Sequence, residues 1–94
     1  QAWVQNGVKF DGYSNGILIE TKAKYSQFVD SSGTFRSWFK GADGFVDQAR
    51  HQLAASNGAP ITWYFKEKAA RDATEILFRQ NGITGIKLVY SPGN

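Results

Sequence analysis

Residues 8 to 22 read VKFDGYSNGILIETK, and this stretch decides how the rest of the chain is read. Two runs of strand-like residues flank Asn15-Gly16, the strongest two-residue turn signal. A type I′ turn needs positive φ at both central positions, and Asn-Gly supplies it at least cost. With that pair in the turn, Asp11 falls opposite Glu20, and Lys9 opposite Lys22. Strand alternation puts Leu18, Glu20 and Lys22 on one face with Lys9 and Asp11, and Ile17, Ile19 and Thr21 on the other. A second Asn-Gly, at 6 and 7, separates Trp3–Gln5 from Val8–Asp11. Three antiparallel strands in a meander are predicted.

Residues 23 to 44 read as irregular, broken by Gly33, Gly41 and Gly44 and made polar by Ser31 and Ser32. Yet Tyr25, Phe28, Phe35, Trp38 and Phe39 lie within them. A solvated loop has no use for so many large rings, so the segment is expected to pack on the domain or meet a partner. From Phe45 to Ser56 the pattern is helical, with Phe45, Val46, Ala49 and Leu53 as its apolar stripe. Asn57-Gly58 and Pro60 stop it. Ile61–Phe65 is a short apolar run that suits a buried strand. A second helix is predicted over Glu67–Gln80, with Ala70, Ala73, Leu77 and Phe78 inward, and Asn81-Gly82 ends it. Ile86–Tyr90 is the last strand. The order strand-strand-strand, helix, strand, helix, strand reads as an α/β (α+β) fold, with 1–94 as a single domain.

Composition sets outer bounds. The chain has 94 residues and is 41% apolar and 20% charged, ordinary for a globular domain. It has no apolar run long enough for a transmembrane helix, so this domain is not expected to insert into a membrane. Gln1 is not a usual native start, and the chain is expected to be cut from a longer protein. Cysteine is absent, which excludes disulfides, thiolate metal sites and cysteine nucleophiles. His51 is the only histidine, which excludes paired-histidine nucleases, and no G-x-S-x-G elbow supports a serine hydrolase. The net charge of +3 suits a polyanionic partner without requiring one.

The opposed carboxylates carry the chemical signal. Two carboxylates facing each other across a ladder repel. A divalent cation between them reverses the sign. Mg²⁺ takes hard oxygen ligands and typically one or two protein carboxylates. Lys22, on the same face, is placed to orient a water or to stabilise charge growing on a phosphate. The same four charges also fit crossed ion pairs on a solvated sheet face. D-x8-E-x-K is a loose spacing, and by itself it leaves both readings open.

VKFDGYSNGILIETK resembles the active-site hairpin of the PD-(D/E)xK, or restriction-endonuclease-fold, superfamily. The chain is similar more specifically to the restriction endonuclease fold toxin 5 family of bacterial polymorphic toxins. The likeness extends through YSQFVD, FRSWFKGADGFVDQAR and APITWYF with its following helix, and covers nearly the whole chain. It implies a central mixed sheet with helices on both sides. It implies a metal-dependent DNase using Mg²⁺, with Mn²⁺ as a substitute. By position, Asp11 and Glu20 are the implied metal ligands and Lys22 the catalytic lysine. Family members are C-terminal domains of larger effectors, several delivered by type VI secretion. The resemblance therefore implies upstream delivery domains, a cognate immunity protein, and action in the cytoplasm of a target bacterium. The superfamily core usually opens with a helix before the first strand, sometimes with an acidic residue; that helix, and any further metal ligand on it, is expected either upstream of this stretch or absent. An RNase or tRNase of the same fold, and a non-catalytic nucleic-acid or protein-binding module, are the competing readings.

Weaker candidates lie on the first helix and around it. Gln48 matches the DQAR stretch of the resemblance, and a polar residue on this helix often borders the superfamily's active site. Gln48 and Gln52 share a helical face, read as lying opposite much of the apolar stripe. Arg50 is a candidate phosphate contact. Lys24 extends the basic strip beyond Lys22. For Gln52 and Arg50 a solvated helix face is the simpler reading, and for His51 a surface histidine. Arg36, Trp38 and Lys40 interleave basic and aromatic character, which suits base stacking with phosphate contact, a buried satellite cluster, or an immunity-protein interface.

Overall fold

The computed structural model describes residues 2–93. Strands β1 (Trp3–Gln5) and β2 (Val8–Phe10) form one hairpin, and β3 (Gly12–Ser14) and β4 (Ile17–Lys22) a second. A 3₁₀ turn spans Ser26–Phe28. Then come α1 (Gly41–Ala55), β5 (Ile61–Phe65), α2 (Lys68–Gln80) and β6 (Ile86–Tyr90). Both hairpin turns have the left-handed backbone that Asn-Gly permits: φ is 51° and 79° at Asn6 and Gly7, and 55° and 79° at Asn15 and Gly16.

The hairpins do not share a sheet. β1 and β2 pair only with each other, while the other four strands form a mixed sheet in the order β3-β4-β5-β6. The single strand expected from Val8 onward is interrupted at Asp11, which bends the chain between β2 and β3. Lys9 therefore does not face Lys22; it is exposed and sits opposite Val4. The β3–β4 register is the one the turn dictates, with Gly12 opposite Ile19 and Tyr13 opposite Leu18.

β4, β5 and β6 run parallel and adjacent. Successive right-handed crossovers in one direction along a sheet put their helices on the same face. Trp63 reports this directly. Its indole donates to Gln52 of α1, and its ring meets Phe78 of α2 at 5.2 Å. Both described helices thus lie on one face, where the resemblance implied helices on both. That face holds the core, built from Phe10, Leu18, Phe45, Ala49, Ile61, Trp63, Phe65 and Phe78 among others.

Helix α1 starts at Gly41, four residues before the apolar stripe. Glycine reads as a breaker, but here it is a packing requirement: a Cβ at Gly41 would collide with the Phe39 ring. At the other end of α1 the first hairpin supplies the caps. Asn6 Nδ2 donates to the Ala55 carbonyl at 2.7 Å and Gln5 Nε2 to that of Ser56 at 2.9 Å. The segment before α1 is a packed aromatic cluster. Phe28 stacks on Phe39 with centroids 4.1 Å apart, and Tyr25 and Phe35 meet Phe45 edge-on at 4.9 and 5.7 Å. No helix among the described residues is long and apolar enough to cross a membrane.

Candidate active site

The face of β4 that packs under α1 carries Leu18, Glu20 and Lys22. Leu18 belongs in a core by chemistry; Glu20 and Lys22 do not, yet only 7% and 8% of their surface is exposed. Burying charge is costly unless it is paired and hydrogen-bonded. Here it is both. The Lys22 ammonium lies 3.2 Å from Glu20 Oε2 and donates to Gln48 Oε1 at 2.5 Å. It also stands over the faces of Phe45 and Trp63, at 4.7 and 5.0 Å from the ring centroids.

Glu20 is held from the other side. Gln52 Nε2 donates to Glu20 Oε1 at 3.2 Å, and Gln52 Oε1 accepts from Trp63 Nε1 at 2.8 Å. An indole nitrogen can only donate, so its bond to Oε1 fixes which end of the Gln52 amide faces Glu20. Gln52 is wholly buried. It does not lie on a solvated helix face, because the part of the sheet beneath α1 is itself polar and demands polar partners. Gln48 and Gln52, one turn apart, each serve one member of the Glu20–Lys22 pair.

Asp11 stands at the solvent edge of this group and is exposed. One further step along the β3–β4 register sets it opposite Glu20. Leu18 sends its N–H toward β5, to the Pro60 carbonyl at 2.9 Å. By alternation Thr21 sends its N–H the other way, to the ladder bond that Phe10 would accept in an unbroken strand. The chain bends there, and Asp11 Oδ2 accepts the bond instead, at 2.8 Å. That bond anchors the Asp11 carboxylate to the backbone of β4 through one oxygen and leaves Oδ1 free of it.

The remaining candidates lie elsewhere. Lys24, past the end of β4, is exposed and near Glu67. The Glu67 carboxyl accepts the backbone N–H groups of Tyr25 and Ser26 at 2.7 and 2.8 Å. These bonds, that of Ser26 foremost, outweigh burial and hold Glu67 below its ordinary pKa, with the Lys24 charge adding to them. Arg50 points away from Gln48 and donates to the Asn81 carbonyl at 3.3 Å, at the end of α2. His51 is exposed, with Nδ1 2.8 Å from the Asp47 carbonyl oxygen one turn back. Spacing marked Gln52 only as a weak candidate whose simpler reading was a solvated helix face, and gave no sign of Trp63 as a site residue. The signal for Gln52 was its place one turn after Gln48.

The donor set suits a small hard cation. Extending the β3–β4 register by one step sets Asp11 opposite Glu20; one carboxylate has an uncommitted oxygen and the other a lone pair left on each oxygen. No cluster of three or more acidic, histidine or cysteine side chains occurs among the described residues. A cation here would complete its shell with water or substrate oxygens. Asp11 is the exposed member of the group, beside the buried Glu20 and Lys22.

The family model for restriction endonuclease fold toxin 5 matches residues 1–68, which contain both hairpins, the aromatic segment, α1 and β5. The chain belongs to this family. The match ends at the first residue of α2, so the later helix and strand lie outside it. No curated protein matches the sequence. Membership in a family of nuclease-fold toxins gives the Asp11, Glu20 and Lys22 group its context.

Proposed function

We propose that this domain is a divalent-cation-dependent DNase that acts as an antibacterial toxin. The observation that carries the reading is the buried Glu20–Lys22 pair, clamped by Gln52 and Gln48 beside Asp11. An ion pair among aromatic rings is a poor way to stabilise a small domain. It is a good way to hold a carboxylate and an ammonium in fixed orientation.

Asp11 and Glu20 would hold the cation, which when bound supplies Lewis-acid activation of water and neutralises phosphate charge. The protein's own contribution is positional. Lys22 has three N–H donors, of which Glu20 and Gln48 take two. The third is left to meet charge growing on the phosphate, and the low-dielectric surroundings strengthen that interaction. The indole of Trp63, through Gln52, keeps Glu20 from turning. The exposed position of Asp11 suits a nucleic-acid backbone, which approaches a rim rather than entering a pocket. On this reading, upstream domains would deliver the domain into a target bacterium's cytoplasm, and a cognate immunity protein would neutralise it in the producing cell.

The test is incubation of the purified domain with supercoiled plasmid and, separately, with total RNA. Plasmid should be cut with Mg²⁺ or Mn²⁺ and left whole with EDTA. Cutting of RNA alone would move the substrate class to RNA. Intact plasmid and intact RNA, with Asp11→Ala as toxic in cells as the wild type, would overturn the reading.

A further inference from the structure

Of the five large aromatics between Tyr25 and Phe39, folding accounts for four. Tyr25, Phe28, Phe35 and Phe39 are partly buried and pack ring against ring under α1. Trp38 is 62% exposed. Its backbone explains why. The Phe39 N–H donates to the Arg36 carbonyl at 2.9 Å, which closes a turn with Ser37 and Trp38 at its corners. Turn corners ordinarily take small or polar residues. Nothing in the packing calls for the largest side chain at this position.

The turn is nevertheless firm. The Arg36 N–H donates to the Phe28 carbonyl at 2.7 Å, and Val29 bridges to Phe35. The Trp38 ring rests edge-on against Phe28 at 6.0 Å, leaving the rest of the ring to solvent. The ring is thus held out rather than loose. It is tied to the catalytic group through contacts of at most 6.3 Å each: Phe28 on Phe39, Phe39 on Phe45, and Phe45 under the Lys22 ammonium.

Arg36 and Lys40 stand two residues to either side, and both are exposed. Among the described residues neither makes an ion pair or a side-chain hydrogen bond. The cations of α2 behave differently, since Lys68, Arg71 and Arg79 are all spent on carboxylates of their own helix. Asp43 lines a cleft of about 270 Å³ together with Arg36 and Lys40.

We propose that Trp38 is a stacking platform for an unpaired base of the substrate strand, with Arg36 and Lys40 holding the adjoining phosphates. This rests on the nuclease reading and deepens it. It means that the domain engages single-stranded or locally opened nucleic acid outside the Asp11–Glu20–Lys22 group. A protein partner would also use tryptophan and arginine. Free cations interleaved with one presented ring favour a polyanion with bases to stack.

The test is fluorescence anisotropy with a fluorescein-labelled oligothymidine in EDTA, so that cutting is silent. Trp38→Ala should weaken binding about tenfold. Trp38→Phe, which keeps an aromatic face, should recover most of that loss. Arg36→Ala and Lys40→Ala should each lower the slope of log affinity against log salt by about one. Circular dichroism of Trp38→Ala should match the wild type, since the residue is exposed. Undetectable binding by the wild type, or unchanged binding by Trp38→Ala, overturns the proposal; in the second case protein capture by Trp38 becomes the better account. Plasmid cutting by the wild type with Trp38-independent binding sinks the platform alone. Trp38-dependent binding without any cutting sinks the nuclease reading and leaves the platform standing.

Discussion

Helix α2 keeps its charges outside and joins them to one another: Lys68 to Asp72, Arg71 to Asp72 and Glu75, Arg79 to Glu75. Its buried residues, Ala70, Ala73, Thr74 and Phe78, are small or apolar, and the Thr74 hydroxyl is returned to the Ala70 carbonyl. Helix α1 covers the same face of the same sheet but turns Gln48 and Gln52 toward an ion pair. The difference lies in what each helix is packed for. α2 follows the pattern that stabilises a fold. α1 breaks it at two positions one turn apart, and both breaks meet charged residues of β4. Where a sequence gives up an apolar contact for a satisfied polar one, function is the usual reason.

Single substitutions should make this contrast measurable. Lys22→Met leaves the Glu20 carboxylate buried without its cation and should cost about 3–5 kcal/mol in chemical denaturation. Adding Glu20→Gln to it should return most of the loss. If Lys22→Met alone is neutral, the pair is not under strain and α1 is an ordinary helix. Gln52→Leu strips a partner from both Glu20 and the Trp63 indole, and should destabilise the domain by about 1–3 kcal/mol.

Acid should act next. Glu67 has a folded-state pKa below its unfolded one, first because it accepts the Ser26 N–H. Its contribution is present above the ordinary glutamate pKa and is lost as pH falls through the lowered folded value. Glu67→Gln should therefore reduce stability at neutral pH and flatten the acid limb of the unfolding curve. An unchanged acid limb would refute the assignment. Arg79→Ala, on the exposed side of α2, should shift stability by no more than about 0.5 kcal/mol. A larger loss would erase the contrast between the helices from the other side.

Much of this was legible in the sequence because it rests on local chemistry. Asn6-Gly7 and Asn15-Gly16 demand one kind of turn, and the second fixes the register that aligns Asp11 with Glu20. The helix and strand stretches from Phe45 onward follow from hydrophobic period and their Asn-Gly stops. What escaped depends on partners distant in the chain. A glutamine on a helix reads as solvent-facing, and only the fold brings Gln52 to Glu20, 32 residues away. Glu67 likewise finds Tyr25 and Ser26 across about 40 residues. Gly41 looked like a breaker because the ring that requires it, Phe39, packs there only in the folded chain. The break at Asp11 was hidden because a strand that changes sheets keeps its alternation on both sides of the bend.

Rates of plasmid cutting by Glu20→Gln test the central claim most directly. The substitution keeps the shape of the side chain and an oxygen for Gln52, and removes the negative charge that faces Lys22 and would face a cation. The account predicts a folded protein, by circular dichroism, whose cutting rate with saturating Mg²⁺ is at least about a hundredfold below the wild type. A folded Glu20→Gln protein that cuts within a few-fold of the wild type would contradict it.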